Sequence, residues 1–355
     1  MEGQGTGGGV RLRSLDALRG IAATCVLVYH FTAGFDLDGF FPGYDQAVVR
    51  FSGGRFGVQL FFVISGFVIL WSFQRVKGVG DFAYSRFSRL YPPYWGSMVI
   101  VTAFILVFQQ FLEGPGIDDV HFTPGQWLLN LTMIPTWLGS EVLAGVYWTL
   151  AVEMGFYLIA GLAFVLGLLK PERVLWTLVG AWVFDVVIGG MMVLANGQSL
   201  ETMAQDYATL FIAGMALFTL YQRPQEHRWI KLFLIFSIPF VDLARGAMWQ
   251  GIVSALIAVT MYLAVFGHLR VLETRPLLWL GAISYSLYLV HEVPGYLTMK
   301  WLLEAGWNRN LVVGVVIAQS LVLAVALNKA VEVPATRWLR ERRKRRVAQA
   351  SVASA

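Results

Sequence analysis

Long apolar stretches separated by short polar ones run along the whole chain. Ten of them approach the roughly 20 residues that a membrane-crossing helix requires. They cover about 14–34, 56–75, 91–112, 146–169, 174–195, 206–222, 230–243, 248–267, 277–302 and 311–331. The seventh is short and contains Pro239, a residue that interrupts helix interiors. The pattern predicts an all-α, polytopic integral membrane protein with about ten transmembrane helices. The first ten residues are Gly-rich, and the first apolar run carries Asp16 and Arg19. Neither feature fits a cleavable signal peptide.

Composition points the same way. Of 355 residues, 57% are hydrophobic and 14% charged, against roughly 45–50% and a quarter in soluble domains. An ordinary cytosolic enzyme, a disordered chain and a disulfide scaffold are thereby excluded. The one cysteine, Cys25, rules out an internal disulfide and a Cys-based metal site, and no metal is expected. The net charge of +5 comes from the stretch Arg337–Arg346, with seven basic residues and one acid, without which the chain carries −1.

The location of the charges predicts orientation. Cytoplasmic loops of membrane proteins are enriched in Lys and Arg. With both termini cytoplasmic and ten spans, 21 of the 27 basic residues fall inside. Arg50, Arg55, Arg245, Lys300 and Arg309 fall outside. Removing the seventh span would put Arg270, Arg275 and the basic tail outside, so the charge count supports ten. Three regions are expected: a flexible segment 1–10, a membrane domain 11–338 and a basic cytoplasmic tail 339–355. The tail reads as a topology anchor resting on anionic lipid, about 1 kcal/mol per basic residue. It lacks the interleaved aromatics of a nucleic-acid site.

Ionisable groups inside a span are costly and mark function. Here they are Arg19, His30, Glu153, Asp185, His291 and Glu292. Arg19 and His30 are 11 residues apart, 20° past three full turns, so they share one helix face about 16 Å apart. Counting depth from the outer ends of their spans places His30, Glu153 and His291 at one level. A carboxylate beside an imidazole raises its basicity and fixes its tautomer, as a general base requires. Glu153 is therefore the expected partner of His30. Asp16 is too distant for that role and pairs better with Arg19 at i, i+3. Arg86 and Arg89, also i, i+3, read either as positive-inside anchoring or as a phosphate clamp. Ser65-Gly66 in the second span reads as close helix packing, Asp185 reads as lining a cavity or pairing with a backbone group, and Asn130-Leu131-Thr132 matches the short glycosylation pattern.

Several segments together resemble the acyltransferase-3 family of membrane acyltransferases. They are Leu15–Ala22 leading to Tyr29-His30-Phe31, Phe61–Phe67, and Arg86 and Arg89 with Leu90-Tyr91-Pro92. Tyr147–Glu153 with Phe156-Tyr157, Gly281–His291 and Val331–Pro334 complete the set. They span nearly the whole chain in order. The resemblance implies transfer of an acyl group, usually acetyl from acetyl-CoA as co-substrate, to a hydroxyl of a carbohydrate or lipid-linked cell-envelope acceptor. No permanently bound cofactor is expected. It casts His30 as the catalytic histidine, Arg19 as its motif partner, Glu153 as the acidic residue, and Arg86 and Arg89 as the donor pair. Arg275 is a further candidate for acyl-CoA phosphates. Asp16, Ser65, Tyr147, Trp148, Tyr157, His291 and Glu332 are expected to support the site or bind substrate. Many relatives add a C-terminal SGNH-type hydrolase-like domain, so this chain resembles the stand-alone form, in the plasma (inner) membrane. His30 acts either as base for direct attack or as a transient acyl carrier, and Ser65 is expected to pack rather than relay. The rival class is a secondary transporter or flippase with His30, Glu153 and His291 as a proton relay, although no internal symmetry supports it. A non-catalytic receptor for the same ligand is a third possibility.

Overall fold

The computed structural model describes residues 12–34, 49–112, 123–196, 205–244 and 248–353. The expected flexible segment 1–10, Arg11, Arg245 and residues 354–355 lie outside the described residues. Among the described residues, fourteen α-helices run in the order α1 (Arg13–Tyr29), α2 (Gly57–Phe73), α3 (Val79–Phe108), α4 (Pro124–Asn130), α5 (Trp148–Val165), α6 (Val174–Asn196) and α7 (Gln205–Gln222). They continue with α8 (Arg228–Phe236), α9 (Ile238–Ala244), α10 (Met248–Val265), α11 (Arg275–Val290), α12 (Glu292–Glu304), α13 (Arg309–Leu327) and α14 (Val333–Ala353). No strand occurs among the described residues.

Helix occupies each of the ten apolar segments. Among the described residues, six helical stretches are long and apolar enough to cross a membrane, with two shorter apolar helices at Val174–Ile188 and Tyr207–Gln222. On α5, Leu158, Ile159, Leu162 and Val165 form an exposed apolar stripe. Water would penalise such a surface, whereas lipid accepts it. The chain is an all-helical membrane protein.

Where helices break or persist, prolines explain it. A proline lacks a backbone N–H and crowds the carbonyl four residues earlier. The expected seventh span is two helices, α8 and α9, parted at Ser237 beside Pro239; the Ser237 hydroxyl donates to the Leu234 carbonyl at 3.0 Å. The ninth is α11 and α12, parted at His291 three residues before Pro294. Helix α3 instead continues through Pro92 and Pro93 and starts twelve residues before the predicted 91. The Ser88 carbonyl, freed by Pro92, accepts the Thr336 hydroxyl at 3.1 Å. Helix α14 runs without a break across the expected boundary at 338–339.

Two close helix crossings organise the bundle. Helix α1 packs most extensively on α11, and α2 on α7. A Cβ added at Gly20 would lie 2.7 Å from the Gly281 nitrogen, and one at Gly281 would collide with the Asp16 carbonyl. In the second crossing a Cβ at Gly66 would strike the Phe211 carbonyl, and one at Gly214 the Val63 carbonyl. Only small residues let backbones approach this closely, which is the packing read from Ser65-Gly66.

The segment before α5 folds back into the protein. Leu143, Ala144, Val146 and Tyr147 are buried. Asn130 anchors it, its amide donating to the Gln126 and Glu141 carbonyls (both 2.9 Å) and its oxygen accepting the Leu143 N–H at 2.8 Å. Asn130 is fully buried, so the glycosylation match marks a structural asparagine.

Gly281→Val is expected to lower the thermal stability of the detergent-solubilised protein by about 1–3 kcal/mol, the usual cost of overpacking. Gly314→Val, where an added Cβ meets nothing within 4 Å, is the control and should change it little. Equal melting temperatures for the two variants would contradict the crossing.

Candidate active site

The α1–α11 crossing has a constant register. Gly20 faces Gly281, and ten residues further along each helix His30 meets His291. The Nδ1 of His30 lies 3.0 Å from the Nε2 of His291, with the rings 4.9 Å apart and nearly parallel at 16°. His30 opens a π-turn, His30–Gly34, that widens the end of α1; such turns recur at functional sites. The Thr32 hydroxyl holds this turn, donating to the Val28 carbonyl at 2.6 Å and accepting the Phe51 N–H at 3.1 Å.

The hydrogen bonds assign the tautomers. Nδ1 of His291 faces the Tyr288 and Leu287 carbonyls at 2.9 and 3.2 Å. Carbonyls only accept, so this nitrogen carries the proton. In a neutral ring Nε2 of His291 is then an acceptor, and Nδ1–H of His30 donates to it. The lone pair of His30 is left on Nε2. His30 lines a cavity of about 680 Å³ together with Trp148, Tyr288, Glu292 and Tyr296. The Glu292 carboxylate is fixed there by the Val146 N–H at 2.8 Å.

A second, smaller cavity of about 90 Å³ is lined by Arg19, Arg86, Arg89, Ser65, Glu153 and Tyr157. Arg19 pairs with Asp16 at 3.6 Å, the i, i+3 contact read from the sequence. The Glu153 carboxylate accepts from the Ser65 hydroxyl (2.8 Å) and the Tyr157 hydroxyl (2.6 Å). The guanidinium of Arg86 donates to the Ser72 hydroxyl and lies over the rings of Phe82 (5.3 Å) and Tyr157 (5.4 Å). Its Nε is buried without a hydrogen-bond partner among the described residues. Val58 and Tyr288 line both cavities and form a shared wall. The Tyr288 hydroxyl is tied to the Thr149 hydroxyl at 2.9 Å and to the Val146 carbonyl at 3.3 Å.

Several sequence expectations change. His291, not Glu153, holds His30; Glu153 sits in the Arg19 cavity. The depth count erred because the segment before α5 is folded inside, so α5 starts well below the surface assumed for residue 146. Arg275 is exposed at the start of α11 and lines neither cavity. Glu332 is also outside both; it accepts from Ser286 (2.6 Å) and Asn328 (2.9 Å), tying the end of α13 to α11. Tyr147 is buried with its hydroxyl on Ser97 at 2.7 Å and lines neither cavity. Trp148 faces the His30 cavity, as a substrate contact would.

Sequence reasoning named Glu292 as an ionisable group within a span but gave it no role, and it missed Tyr288 and Tyr296 as cavity residues. Their signal was present in the polar positions that recur every three or four residues through Tyr285, Tyr288, Glu292 and Tyr296. The single-residue search for buried charges overlooked the tyrosines.

No solved structure matches the chain. Among curated proteins, the peptidoglycan O-acetyltransferase OatA of Listeria monocytogenes is 24% identical, over 78% of this chain and 48% of its own length. The O-acetyltransferase OatA of Staphylococcus aureus is 23% identical, over 79% of this chain and 50% of its own. The chain thus spans about half the length of these relatives. Residues 12–329 match the acyltransferase-3 model, described as an acyltransferase domain. That match takes in both cavities and nearly every described helix: the chain belongs to the acyltransferase-3 family.

Proposed function

We propose that the protein is an O-acyltransferase that moves an acyl group, acetyl in the simplest case, from cytoplasmic acyl-CoA to a hydroxyl of a cell-envelope carbohydrate. The observation that carries this reading is the pair of cavities sharing the Val58–Tyr288 wall, one lined by three arginines and the other by His30 with its Nε2 lone pair free. Family membership and the O-acetyltransferase relatives support the reaction class. Ten spans with both termini cytoplasmic, in the inner membrane, fit the helical segments and the charge distribution.

In this scheme Arg86 and Arg89 take the donor's phosphates, since guanidinium forks match phosphate geometry. Asp16 holds Arg19, while Ser65 and Tyr157 hold Glu153, so the donor cavity is built before substrate arrives. The pantetheine arm runs along the Arg19 face of α1 toward His30, about 16 Å for 11 helical residues. An acceptor sugar occupies the larger cavity beside Trp148, Tyr296 and Glu292. On the direct route, Nε2 of His30 takes the hydroxyl proton, the oxygen attacks the thioester carbonyl, and the C–S bond breaks to release thiolate, which then takes a proton. On the covalent route, the same nitrogen attacks the thioester carbonyl and the C–S bond breaks to release thiolate. The acceptor hydroxyl then displaces the acyl group, its oxygen forming the ester as the N–acyl bond breaks and its proton passing to the thiolate. Either route requires the Nε2 lone pair that the His291 contact secures.

His30→Ala should abolish release of free thiol from acetyl-CoA in the presence of a peptidoglycan or polysaccharide acceptor. Retention of full transfer by purified His30→Ala would refute the reading. Joint Arg86→Gln and Arg89→Gln substitution should raise the KM for acetyl-CoA about tenfold or more, the scale of two lost charge-assisted contacts, with acceptor KM unchanged. For His291, the order of kcat should be wild type, then Gln, then Leu. Glutamine keeps an acceptor for Nδ1–H of His30, and leucine leaves that proton unpaired, a loss on the order of 100-fold for a misassigned base. Equal activity of the Gln and Leu variants would show that His291 only fills space.

A further inference from the structure

The basic tail and the helix that carries Arg86 and Arg89 form one unit. Arg343 pairs with Asp81, the Tyr84 hydroxyl donates to the Leu339 carbonyl at 2.8 Å, and the Thr336 hydroxyl donates to the Ser88 carbonyl at 3.1 Å. Residue numbers rise on α3 as they fall on α14, so α14 lies antiparallel along the first three turns of α3. The Arg343 guanidinium also covers the Tyr84 ring at 4.9 Å. Of the tail's seven basic residues, only Arg343 is used in this docking. Arg337, Arg340, Arg342, Lys344, Arg345 and Arg346 are exposed, and none forms an ion pair among the described residues.

Six clustered cations on a rigid helix repel one another, and a polyanion relieves that repulsion. Their position narrows the choice. Phe87, Tyr91 and Trp95 form an aromatic ladder on α3, with ring separations of 4.8 and 5.5 Å, of the kind that marks a membrane interface. The Asp81–Arg343 contact lies six residues before Phe87, about 9 Å further out. The outer cations therefore project past that ladder into water.

The donor cavity supplies the second argument. At about 90 Å³ it accommodates a phosphate-bearing arm but not a nucleotide. An acyl-CoA carries phosphates at two places: the pyrophosphate next to pantetheine, and the 3′-phosphate on the ribose beyond it. With the pyrophosphate at Arg86 and Arg89, the ribose phosphate and adenine lie beyond that cavity. Helix α14 docks along the Asp81, Tyr84 and Ser88 side of the same α3, so the adenosine end reaches it by passing around the start of α3. Trp338 is 57% exposed, with the Arg342 guanidinium 5.1 Å over its ring, a platform suited to a purine.

We propose that α14 is the outer half of the donor site and recognises the 3′-phosphoadenosine end of acyl-CoA. The proposal rests on the donor reading above. The test compares acetyl-CoA, acetyl-3′-dephospho-CoA and acetyl-pantetheine as donors for the full chain in detergent. The variant replaces Arg340, Arg342, Lys344, Arg345 and Arg346 by Gln and keeps Thr336, Leu339 and Arg343, so docking is retained; an unchanged melting temperature checks this. The wild type should show a KM for acetyl-CoA about tenfold below that for the dephospho donor, the scale of a few exposed charge contacts. In the variant that ratio should collapse toward one, while acetyl-pantetheine is used as by the wild type. A variant that keeps the wild-type preference overturns the proposal, as does a wild type indifferent to the 3′-phosphate. A variant that only loses flotation on phosphatidylglycerol vesicles assigns the tail to lipid and overturns it too. If the wild type uses none of the three donors, the donor reading itself fails.

Discussion

The arrangement depends on one close approach. Gly20 and Gly281 bring the backbones of α1 and α11 nearly into contact, and the shared register places His30 and His291 in hydrogen-bonding range ten residues later. Apolar side chains cannot set such a register by themselves, because lipid solvates them as well as neighbouring helices do. Steric fit between backbones can. The same crossing sets Asp16 against α11 while it pairs with Arg19, so the donor cavity and the histidine pair are positioned by one contact.

A second constraint acts on the backbone. In an apolar environment each unpaired carbonyl is costly, and the carbonyl that Pro92 frees inside α3 is accordingly satisfied by a side chain: that of Ser88 takes the Thr336 hydroxyl. Further along the same helix, the Leu90 carbonyl accepts the Tyr285 hydroxyl at 3.1 Å. The bend at His291 serves the site more directly. It ends α11 so that the imidazole can return its Nδ1 proton to the carbonyls of the preceding turn and present Nε2 to its neighbour.

Much of the fold was legible in the sequence because apolar runs are one-dimensional signals. All ten segments are helical, and the i, i+3 pairing of Asp16 with Arg19 follows from helix geometry alone. The Ser65-Gly66 crossing was legible for the same reason. Depth was not. Counting residues from an assumed surface put Glu153 level with His30, whereas the fold-back before α5, buried at Val146 and Tyr147, starts that helix inside the protein. The role of His291 as the partner of His30 also escaped a reading that sought carboxylates beside imidazoles. Only the register of two helices separated by more than 250 residues brings the rings together. Likewise, the tail read as a topology anchor resting on anionic lipid, and its docking along α3 through Thr336, Leu339 and Arg343 was not legible.

The wall between the cavities has an electrical consequence. In an energised bilayer, an open water path from one face to the other would let protons leak down the gradient. Tyr288, stitched to Thr149 and the Val146 carbonyl, stands with Val58 where such a path would run. Under the proposed scheme the acyl group alone is left on the far side, delivered to His30 on the pantetheine arm, which itself fills the passage between the chambers while it is open. The bilayer can then keep its insulation through every turnover, without the alternating gates that a carrier of whole molecules requires.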